Sequence, residues 1–418
     1  MNDFSEFRRG INPLFSALIG AGCGITSIMF YTHGTFVVAI SENTEWSRGE
    51  VQFAFTIMSL MALFTAPSIG WMVDRFGPRS VALLSLVGFF IGCLMLSLTG
   101  TSLIYYYAGW AVLAVLGAGT LPITWTTLIN QWFTINRGLA LGITLSGTGI
   151  AASVAPSYAS WLITQYDWQT AYLLLGATST AIALPIVYLF FHYPTAATKT
   201  NYTQGNTLPD LSEIGLSLKE AVSGYKFWIL SISIICVSAS IAGLITNIVP
   251  LLTDKSLSVI EASRYAGLIG ISVIIGRLGI GYLIDRIWAP MIAAIFLSLP
   301  AIGAMMLVGI ELQPLLLSIS IILIGLAAGA EVDLFAYLSS RYFGLKNYGV
   351  IYGIVFMIFS VSAGIAPAVF GFSFDRYGSY DFIFSVAAIL SLTGGLLMLL
   401  LGAYPKFDLS ADNIKLEV

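Results

Sequence analysis

Four ionisable or titratable side chains stand inside long apolar segments of this sequence. They are Arg277, Glu331, Asp333 and His33. An ionisable residue in the middle of a membrane-crossing helix costs about 2.5–3.5 kcal/mol, so it usually faces a cavity and has a function. These groups offer two kinds of chemistry: a guanidinium can bind a carboxylate, and carboxyl or imidazole groups can carry protons.

Arg277 admits two interpretations. Its planar fork can bind the carboxylate of a substrate, or it can be the permanent partner of Glu331 or Asp333. Arg277 stands eight residues before Asp285, about 12 Å along a helix of 1.5 Å rise. Glu331 stands ten residues before Arg341, about 15 Å by the same rise. The two side chains are therefore predicted at similar depth, and we favour the substrate role for Arg277.

Glu331 and Asp333 are candidates for proton coupling. They are two residues apart, which places them about 200° apart around a helix. Only one of them can face a cavity squarely, and that one is the candidate proton carrier. The other is expected to be a structural hydrogen-bond partner, and the spacing leaves open which is which.

His33 lies in the polar run YTHG, and three roles remain open for it. It can be packed with a hydrogen-bond partner, contact a substrate, or take part in proton coupling. Aromatic and amide side chains elsewhere in the apolar segments are further candidates for the wall of a binding cavity. With Arg277 and His33, the predicted substrate-binding residues are Tyr31, Trp125, Asn247 and Tyr352.

The elements that must position these groups are transmembrane helices. The chain has 418 residues, of which 57% are hydrophobic and 9% charged, whereas a soluble protein is about one quarter charged. Stretches of roughly 20 apolar residues span a bilayer as helices, while barrel strands need about 10. Twelve such spans are predicted, near 12–40, 49–73, 79–99, 102–131, 138–164, 169–192, 226–252, 260–284, 290–310, 313–340, 348–373 and 379–403.

Charge asymmetry between the loops predicts the orientation. An even number of spans puts both termini on one side, where thirteen Lys and Arg residues fall, against four on the other side. The positive-inside rule then makes both termini cytoplasmic. The first apolar stretch has no A-x-A cleavage site and is interpreted as a helix rather than a signal peptide.

A polar stretch after the sixth span divides the chain. We predict a six-helix bundle over 1–193, a cytoplasmic linker over 194–225, a second six-helix bundle over 226–404 and a cytoplasmic tail over 405–418. The two bundles repeat at a constant offset of 211 residues, as Asp74 and Asp285 show. The other matching pairs are Glu50/Glu261, Gly70/Gly281, Arg75/Arg286, Gly142/Gly353 and Pro156/Pro367. Parallel repeats of this kind are typical of transporters that rock around a site at the membrane midplane.

The loop after the second span reads GWMVDRFGPR over 70–79, and GYLIDR over 281–286 repeats its first part. This loop resembles the signature of the major facilitator superfamily, G-x-x-x-D-R-x-G-x-[RK]. Its charges can bond one another and nearby helix ends, holding one side of the protein closed. The predicted conformational latch comprises Asp74, Arg75, Arg79, Asp285 and Arg286.

Narrower motifs resemble the oxalate/formate antiporter and monocarboxylate transporter branch of that superfamily. They are WSR at 46–48, RGLALG at 137–142 and GRLGIG at 276–281. The resemblance implies that Arg277 is the buried substrate-binding arginine of the branch. The sequence departs from the branch in two places. Animal monocarboxylate transporters place an acidic residue one turn before this arginine, where this chain has Val273. The oxalate exchanger carries a lysine in helix eleven, whereas span eleven here has no basic residue after Lys346. A monoanion is therefore favoured over a dicarboxylate.

The expected function is secondary transport of a small organic anion, a monocarboxylate, by alternating access with proton symport or anion exchange. One alternative is a cationic or zwitterionic substrate held by Glu331 or Asp333, and another is a sensor that binds without transporting. The sequence has no Walker motif, no nucleophile–base set, and three cysteines without metal-ligand spacing. We expect no enzyme activity, no cofactor or metal, no nucleic-acid partner, and a monomer surrounded by lipid in a cell membrane, suiting a prokaryotic inner membrane.

Overall fold

The structure, a computed structural model, describes residues 5–133, 137–193, 215–284, 286–309, 313–344 and 346–405. Helices make up nearly all of the described chain. In the first half they are α1 Ser5–Gly22, α2 Ile25–Asn43, α3 Arg48–Phe76, α4 Pro78–Ser97, α5 Leu103–Leu116, α6 Pro122–Trp132, α7 Arg137–Gln165 and α8 Trp168–Phe190. In the second they are α9 Leu218–Ser223, α10 Tyr225–Asp254, α11 Val259–Ile284, α12 Ala289–Leu307, α13 Pro314–Phe343, α14 Tyr348–Tyr377 and α15 Asp381–Leu397.

Twelve spans are present, as predicted. Within the described ranges, eleven helical stretches are long and apolar enough to cross a membrane; one of them, Glu6–Asn43, combines α1 and α2. The twelfth span is built from the shorter helices α5 and α6 with a 3-10 turn, Ala118–Thr120, between them. The fold class is thereby confirmed as an all-helical membrane protein of two six-helix bundles.

Spans one and four are not the single helices that hydropathy predicts. Span one breaks after Gly22, and its second part starts from Gly24, whose ψ of 168° is extended. Span four breaks before Pro122, where Leu121 is extended with φ −62° and ψ 154°. Proline has no N–H and disfavours the helical conformation of the residue before it, so Pro122 begins a new helix instead of continuing α5.

The two breaks lie against each other, and Thr120 joins them. The Thr120 hydroxyl accepts a hydrogen bond from the backbone N–H of Ile25 at 2.9 Å. The Trp125 indole N–H donates to the Thr120 carbonyl at 2.9 Å, and the Gly119 N–H donates to the Ser85 hydroxyl at 3.1 Å. Backbone groups freed by a break inside a membrane must be satisfied by protein, and these side chains do so.

The bundles repeat at the offset found in the sequence. Shifted by 211 residues, the bounds of α3 become 259–287, against 259–284 in α11, and those of α7 become 348–376, against 348–377 in α14. The broken span 103–132 becomes 314–343, which is the unbroken helix α13. The pseudo-symmetry thus covers the helices, although the breaks occur in one copy alone among the described residues. Most of the predicted linker (194–214) and tail (406–418) lies outside the described residues, so those boundaries remain predictions.

We call the side that carries the described chain ends, Ser5 and residue 405, the terminal face, and the opposite side the far face. Span ends such as Phe76 and Ile284 lie at the terminal face, whereas Asn43, Arg48, Asp254 and Tyr377 end or begin helices at the far face. Between the two halves, α3 packs on α14, α7 on α11 and α2 on α10.

Candidate functional site

Arg277 on α11 and Asp333 on α13 face each other inside the second bundle. The Arg277 Nε lies 3.2 Å from Oδ2 of Asp333, and the two side chains are 14% and 32% exposed. Glycines bring the two helices together: a Cβ on Gly276 would collide with the backbone of Leu326, and one on Gly329 with the backbone of Val273. Small residues of this kind let transmembrane backbones approach closely.

The guanidinium of Arg277 is only partly satisfied by this ion pair. Its Nε and Nη1 atoms are buried and form no hydrogen bond within the described part of the chain, so the 3.2 Å contact is an ion pair without hydrogen-bond alignment. A buried guanidinium with free N–H groups is costly unless a ligand or water completes its bonding. This arrangement fits a binding site for an anion.

Glu331 lies on the same helix but in a different environment. Its side chain is buried, with the residue 4% exposed, and its Oε1 has no hydrogen-bond partner among the described residues. Asp333, by contrast, is about one-third exposed and lies against Arg277. Asp333 is therefore the more accessible of the two carboxyl groups, while their predicted roles remain predictions.

Two tyrosines complete what we call the Arg277 cluster: Arg277, Glu331, Asp333, Tyr31 and Tyr352. Tyr31 comes from α2 in the first half, packs against the core of the second half, and interacts electrostatically with both Arg277 and Glu331. Tyr352 on α14 interacts electrostatically with Asp333 and stacks on Tyr348 with ring centroids 5.4 Å apart. The cluster thus lies close to the boundary between the halves.

The other predicted lining residues lie elsewhere. His33 is buried between the Phe55 and Trp110 rings, at centroid distances of 5.4 and 5.3 Å, and neither ring nitrogen has a hydrogen-bond partner among the described residues. Trp125 is fully buried in the core of the first half, where it packs over Gly20. Burial within one bundle makes both residues part of its packing.

Asn247, a third predicted lining residue, joins the two halves. It exchanges amide hydrogen bonds with Gln52: the Gln52 Nε2 donates at 2.9 Å, and the Asn247 Nδ2 donates back at 3.2 Å. Nearby, the Thr56 hydroxyl donates to the Gly364 carbonyl at 2.8 Å, again between the halves. These bonds lie on the far-face side of α3, which identifies a packed interface on that side.

At the far face itself, a charged group closes the molecule. Arg48 at the start of α3 forms a bidentate pair with Asp254 at the end of α10, with distances of 2.6 and 2.7 Å. Asp375 accepts from the backbone N–H groups of Arg48 and Gly49, at 3.1 and 2.8 Å. We call Arg48, Asp254 and Asp375 the far-face clasp. Sequence reasoning assigned it no role, although Arg48 stands in the WSR motif and the capping box of Ser47 and Glu50 marks the start of α3.

At the terminal face, the described charged residues of the predicted latch do not join the two halves. Asp74 and Arg75 are exposed. Arg79 donates to the Tyr188 carbonyl, and Arg286 donates to the Tyr282 carbonyl at 2.9 Å, so each bonds within its own half. Among the residues that the structure describes, no ion pair joins the halves on this side. Asp285 lies outside the described residues, and the latch function remains a prediction.

Two six-helix bundles, closed at one face around a buried arginine, define a membrane transporter. The chain belongs to the Major Facilitator Superfamily, whose sequence model matches residues 19–367. This membership confirms the family that the 70–79 loop indicated.

Three individual proteins that this chain resembles are each less than one quarter identical to it. The chain is 23% identical over 364 residues to a probable sulfoacetate transporter of Cupriavidus necator, covering 81% of this chain and 82% of that one. It is 22% identical over 402 residues to monocarboxylate transporter 12 of Mus musculus, covering 89% and 80%. Among solved structures, a mutant of the nucleoside transporter NupG superposes with a TM-score of 0.73 at 13% identity, covering 94% of this chain and 99% of that one. The last similarity concerns the fold alone.

Proposed function

We propose that this protein is a secondary active transporter of a small organic monoanion, a monocarboxylate, working by alternating access. The observation that carries the proposal is Arg277, a buried cation with unused N–H groups beside the interface between the halves. A guanidinium offers two parallel N–H groups to a carboxylate, which suits a monoanion. The sulfoacetate and monocarboxylate transporters among its relatives support the same class of substrate.

Asp333 is the proposed coupling group. Its carboxylate lies against the guanidinium that the substrate requires, so substrate and Asp333 compete for Arg277. A proton on Asp333 would release Arg277 for the substrate, which gives symport. An exchanged anion could instead replace the substrate on Arg277, which gives antiport. Glu331 is the second candidate for coupling, because it is buried in the same cluster.

Alternating access requires the far-face clasp and the terminal latch to act in turn. The clasp is formed here, while Arg79 and Arg286 of the latch bond within their own halves. In the opposite state we propose that Asp74, Arg75, Arg79, Asp285 and Arg286 close the terminal face after the clasp has opened. By the positive-inside rule the terminal face is cytoplasmic, in a cell membrane of the prokaryotic inner type.

The test measures ligand stabilisation of the purified protein across small carboxylates and amines, for the native chain and for Arg277→Ala. We expect a monocarboxylate to raise the melting temperature of the native chain and to have no effect on the variant. Arg264→Ala is the matched control, because Arg264 is an exposed arginine on the same helix. Carboxylates that stabilise the native chain and Arg277→Ala equally would contradict the anion site. Stabilisation by cations alone would favour a substrate site at the carboxyl groups of α13.

Saturable uptake into proteoliposomes separates a carrier from a sensor. We expect the stabilising compound to be taken up by vesicles that contain the native chain. Binding without uptake would identify a sensor with the same fold.

A further inference from the structure

We propose that the carboxylate bound by Arg277 also carries an ammonium group, so that the transported monocarboxylate is a zwitterion without net charge rather than a net monoanion. The inference rests on the Arg277 carboxylate site of the proposed function and narrows its substrate class. The carboxylate of the zwitterion binds Arg277 and its ammonium group binds Glu331. Glu331 is then a substrate-binding residue that selects for the ammonium group, whereas Asp333 is the proposed coupling carboxylate.

The balance of charge in the Arg277 cluster carries the first step. Among the described residues the cluster contains one cation, Arg277, and two carboxyl groups, Glu331 and Asp333. A plain monoanion on Arg277 would place three acidic groups around one cation. In a weakly polar interior that arrangement is strongly unfavourable, so both carboxyl groups would have to be protonated. A zwitterion adds no net charge, and a single proton on Asp333 then leaves the occupied site neutral.

The environment of Glu331 carries the second step. Its Oε1 is buried and has no donor within the described residues. Leaving a buried acceptor unpaired costs roughly 1–3 kcal/mol, and more if it is charged. An ammonium group supplies both a hydrogen and a positive charge, which makes the stronger, charge-assisted kind of hydrogen bond.

The position of Tyr31 carries the third step. Its phenol lies within electrostatic range of both Arg277 and Glu331. Because Tyr31 belongs to the first half and packs against the core of the second, which carries both charged groups, all three lie close to the space between the halves. A small molecule in that space is in a position to contact the guanidinium with one end and Glu331 with the other.

An ammonium fits better than a hydroxyl group as the second end. A hydroxyl could donate to Oε1, but it would leave three acidic groups for one cation. A positive charge on the substrate removes that excess without a second proton. The distance between Arg277 and Glu331 determines the distance between carboxylate and ammonium that a ligand needs. The preferred compound among 2-, 3- and 4-amino acids therefore measures that distance.

The experiment compares ligands of matched size on the purified full-length protein. The ligands are propionate, lactate, alanine, β-alanine and 4-aminobutyrate, and the readouts are the dissociation constant and the shift in melting temperature. The variants are Glu331→Gln, Glu331→Asp, Arg277→Ala and, as a control, Glu45→Gln at an exposed glutamate of the far face. We expect one amino acid to bind the native chain at least about tenfold more tightly than propionate, a difference of about 1.4 kcal/mol.

The variants then separate the two ends of the ligand. Glu331→Gln should remove that preference, because the amino acid loses its ammonium partner while propionate, which now meets one carboxyl group fewer, binds at least as tightly as before. Glu45→Gln should change neither. Glu331→Asp, which withdraws the carboxylate by one methylene and guards against a misfolded amide variant, should move the preference to an amino acid with a longer charge separation. Arg277→Ala should abolish binding of every carboxylate.

Three results would overturn the inference. Propionate binding as tightly as every amino acid, with no effect of Glu331→Gln, would remove the ammonium subsite and leave the proposed monocarboxylate function standing. Lactate preferred over alanine in a manner that depends on Glu331 would make the second end a hydroxyl. Carboxylate binding that survives Arg277→Ala would instead overturn the proposed function itself.

Discussion

At the scale of single residues, Glu331 and Asp333 show how two carboxyl groups on one helix acquire different properties. Their spacing predicts that they face different directions, and the structure pairs Asp333 with Arg277 while burying Glu331. Sequence could not assign the two roles, because the rotation of α13 depends on how it packs against α11. That contact is set by Gly276 and Gly329, whose missing side chains matter only once the neighbouring backbone is known.

Asp333→Asn tests the competition for Arg277. In the native chain, protonation of Asp333 should free the guanidinium, so anion affinity is expected to rise as the pH falls. The amide cannot ionise, and the variant should bind the anion with an affinity that is independent of pH and about tenfold higher than native at alkaline pH. The measurement is the dissociation constant between about pH 3.5 and 9, a range that includes the ordinary titration of aspartate, glutamate and histidine.

Uptake distinguishes coupling from mere binding in the same variant. Asp333→Asn should lose accumulation driven by a proton gradient and retain exchange of labelled for unlabelled anion. An unchanged proton-driven uptake would assign coupling to another group, with Glu331 the next to test.

His33 illustrates the limit of reasoning from residue type. A titratable group inside a span is usually functional, yet this imidazole is enclosed by Phe55 from α3 and Trp110 from α5. The sequence indicates that His33 is buried. It cannot indicate which helices surround it, because those rings are 22 and 77 residues away along the chain.

At the scale of helices, the number of spans was predictable and the breaks in spans one and four were not. Apolar length predicts where a span begins and ends within a few residues. Gly22, Gly24, Gly117 and Pro122 mark the breaks, but glycines also occur inside unbroken helices such as α13 and α14. What distinguishes the broken spans is the polar bonding that Thr120 provides between them.

Thr120→Val tests whether this bond stabilises the break. Valine preserves the shape and removes the hydroxyl that accepts from the Ile25 N–H, leaving that donor unpaired at a cost of roughly 1–3 kcal/mol. The melting temperature in detergent should therefore fall by several degrees. Thr127→Val is the control, because the Thr127 hydroxyl bonds only within its own helix, to the Ile123 carbonyl. Equal melting temperatures for the two variants would show that the break is held by other contacts.

At the scale of the whole molecule, the structure is closed at the far face and held there by charge. The latch at the terminal face was recognisable because its residues lie in one loop. The clasp was not, since Arg48 and Asp254 are 206 residues apart and meet only when the two bundles assemble. A sequence motif reports local chemistry, whereas contacts between the halves depend on the conformational state.

Arg48→Ala tests the clasp. The variant loses the bidentate pair with Asp254 and the ring contact with Phe374, whose centroid lies 4.0 Å from the guanidinium carbon. The population should therefore shift toward a state that is open at the far face. Spin labels at Glu45 and Arg376, exposed positions in different halves, should report a longer mean distance in the variant.

The corresponding control is Arg264→Ala, which removes an exposed arginine near the same face. It should leave the distance distribution unchanged. A distribution for Arg48→Ala that matches the native one would mean that the Arg48 side chain is not needed to hold the far face. The remaining contacts there include the bonds from the backbone of residues 48 and 49 to Asp375 and the amide pair of Gln52 and Asn247.

The constant offset between the halves allows equivalent positions of the two copies to be compared, and it shows that they carry different residues. The second copy carries Glu331 and Asp333 on an unbroken helix; at the equivalent places the first copy carries Thr120 and Pro122, the residues of its helix break. Arg277 likewise corresponds to Ala66. The proposed site therefore takes its charged groups from one copy, whereas the helix break belongs to the other. A protein built from two first copies should accordingly keep the helix breaks and lack the proposed Arg277 site.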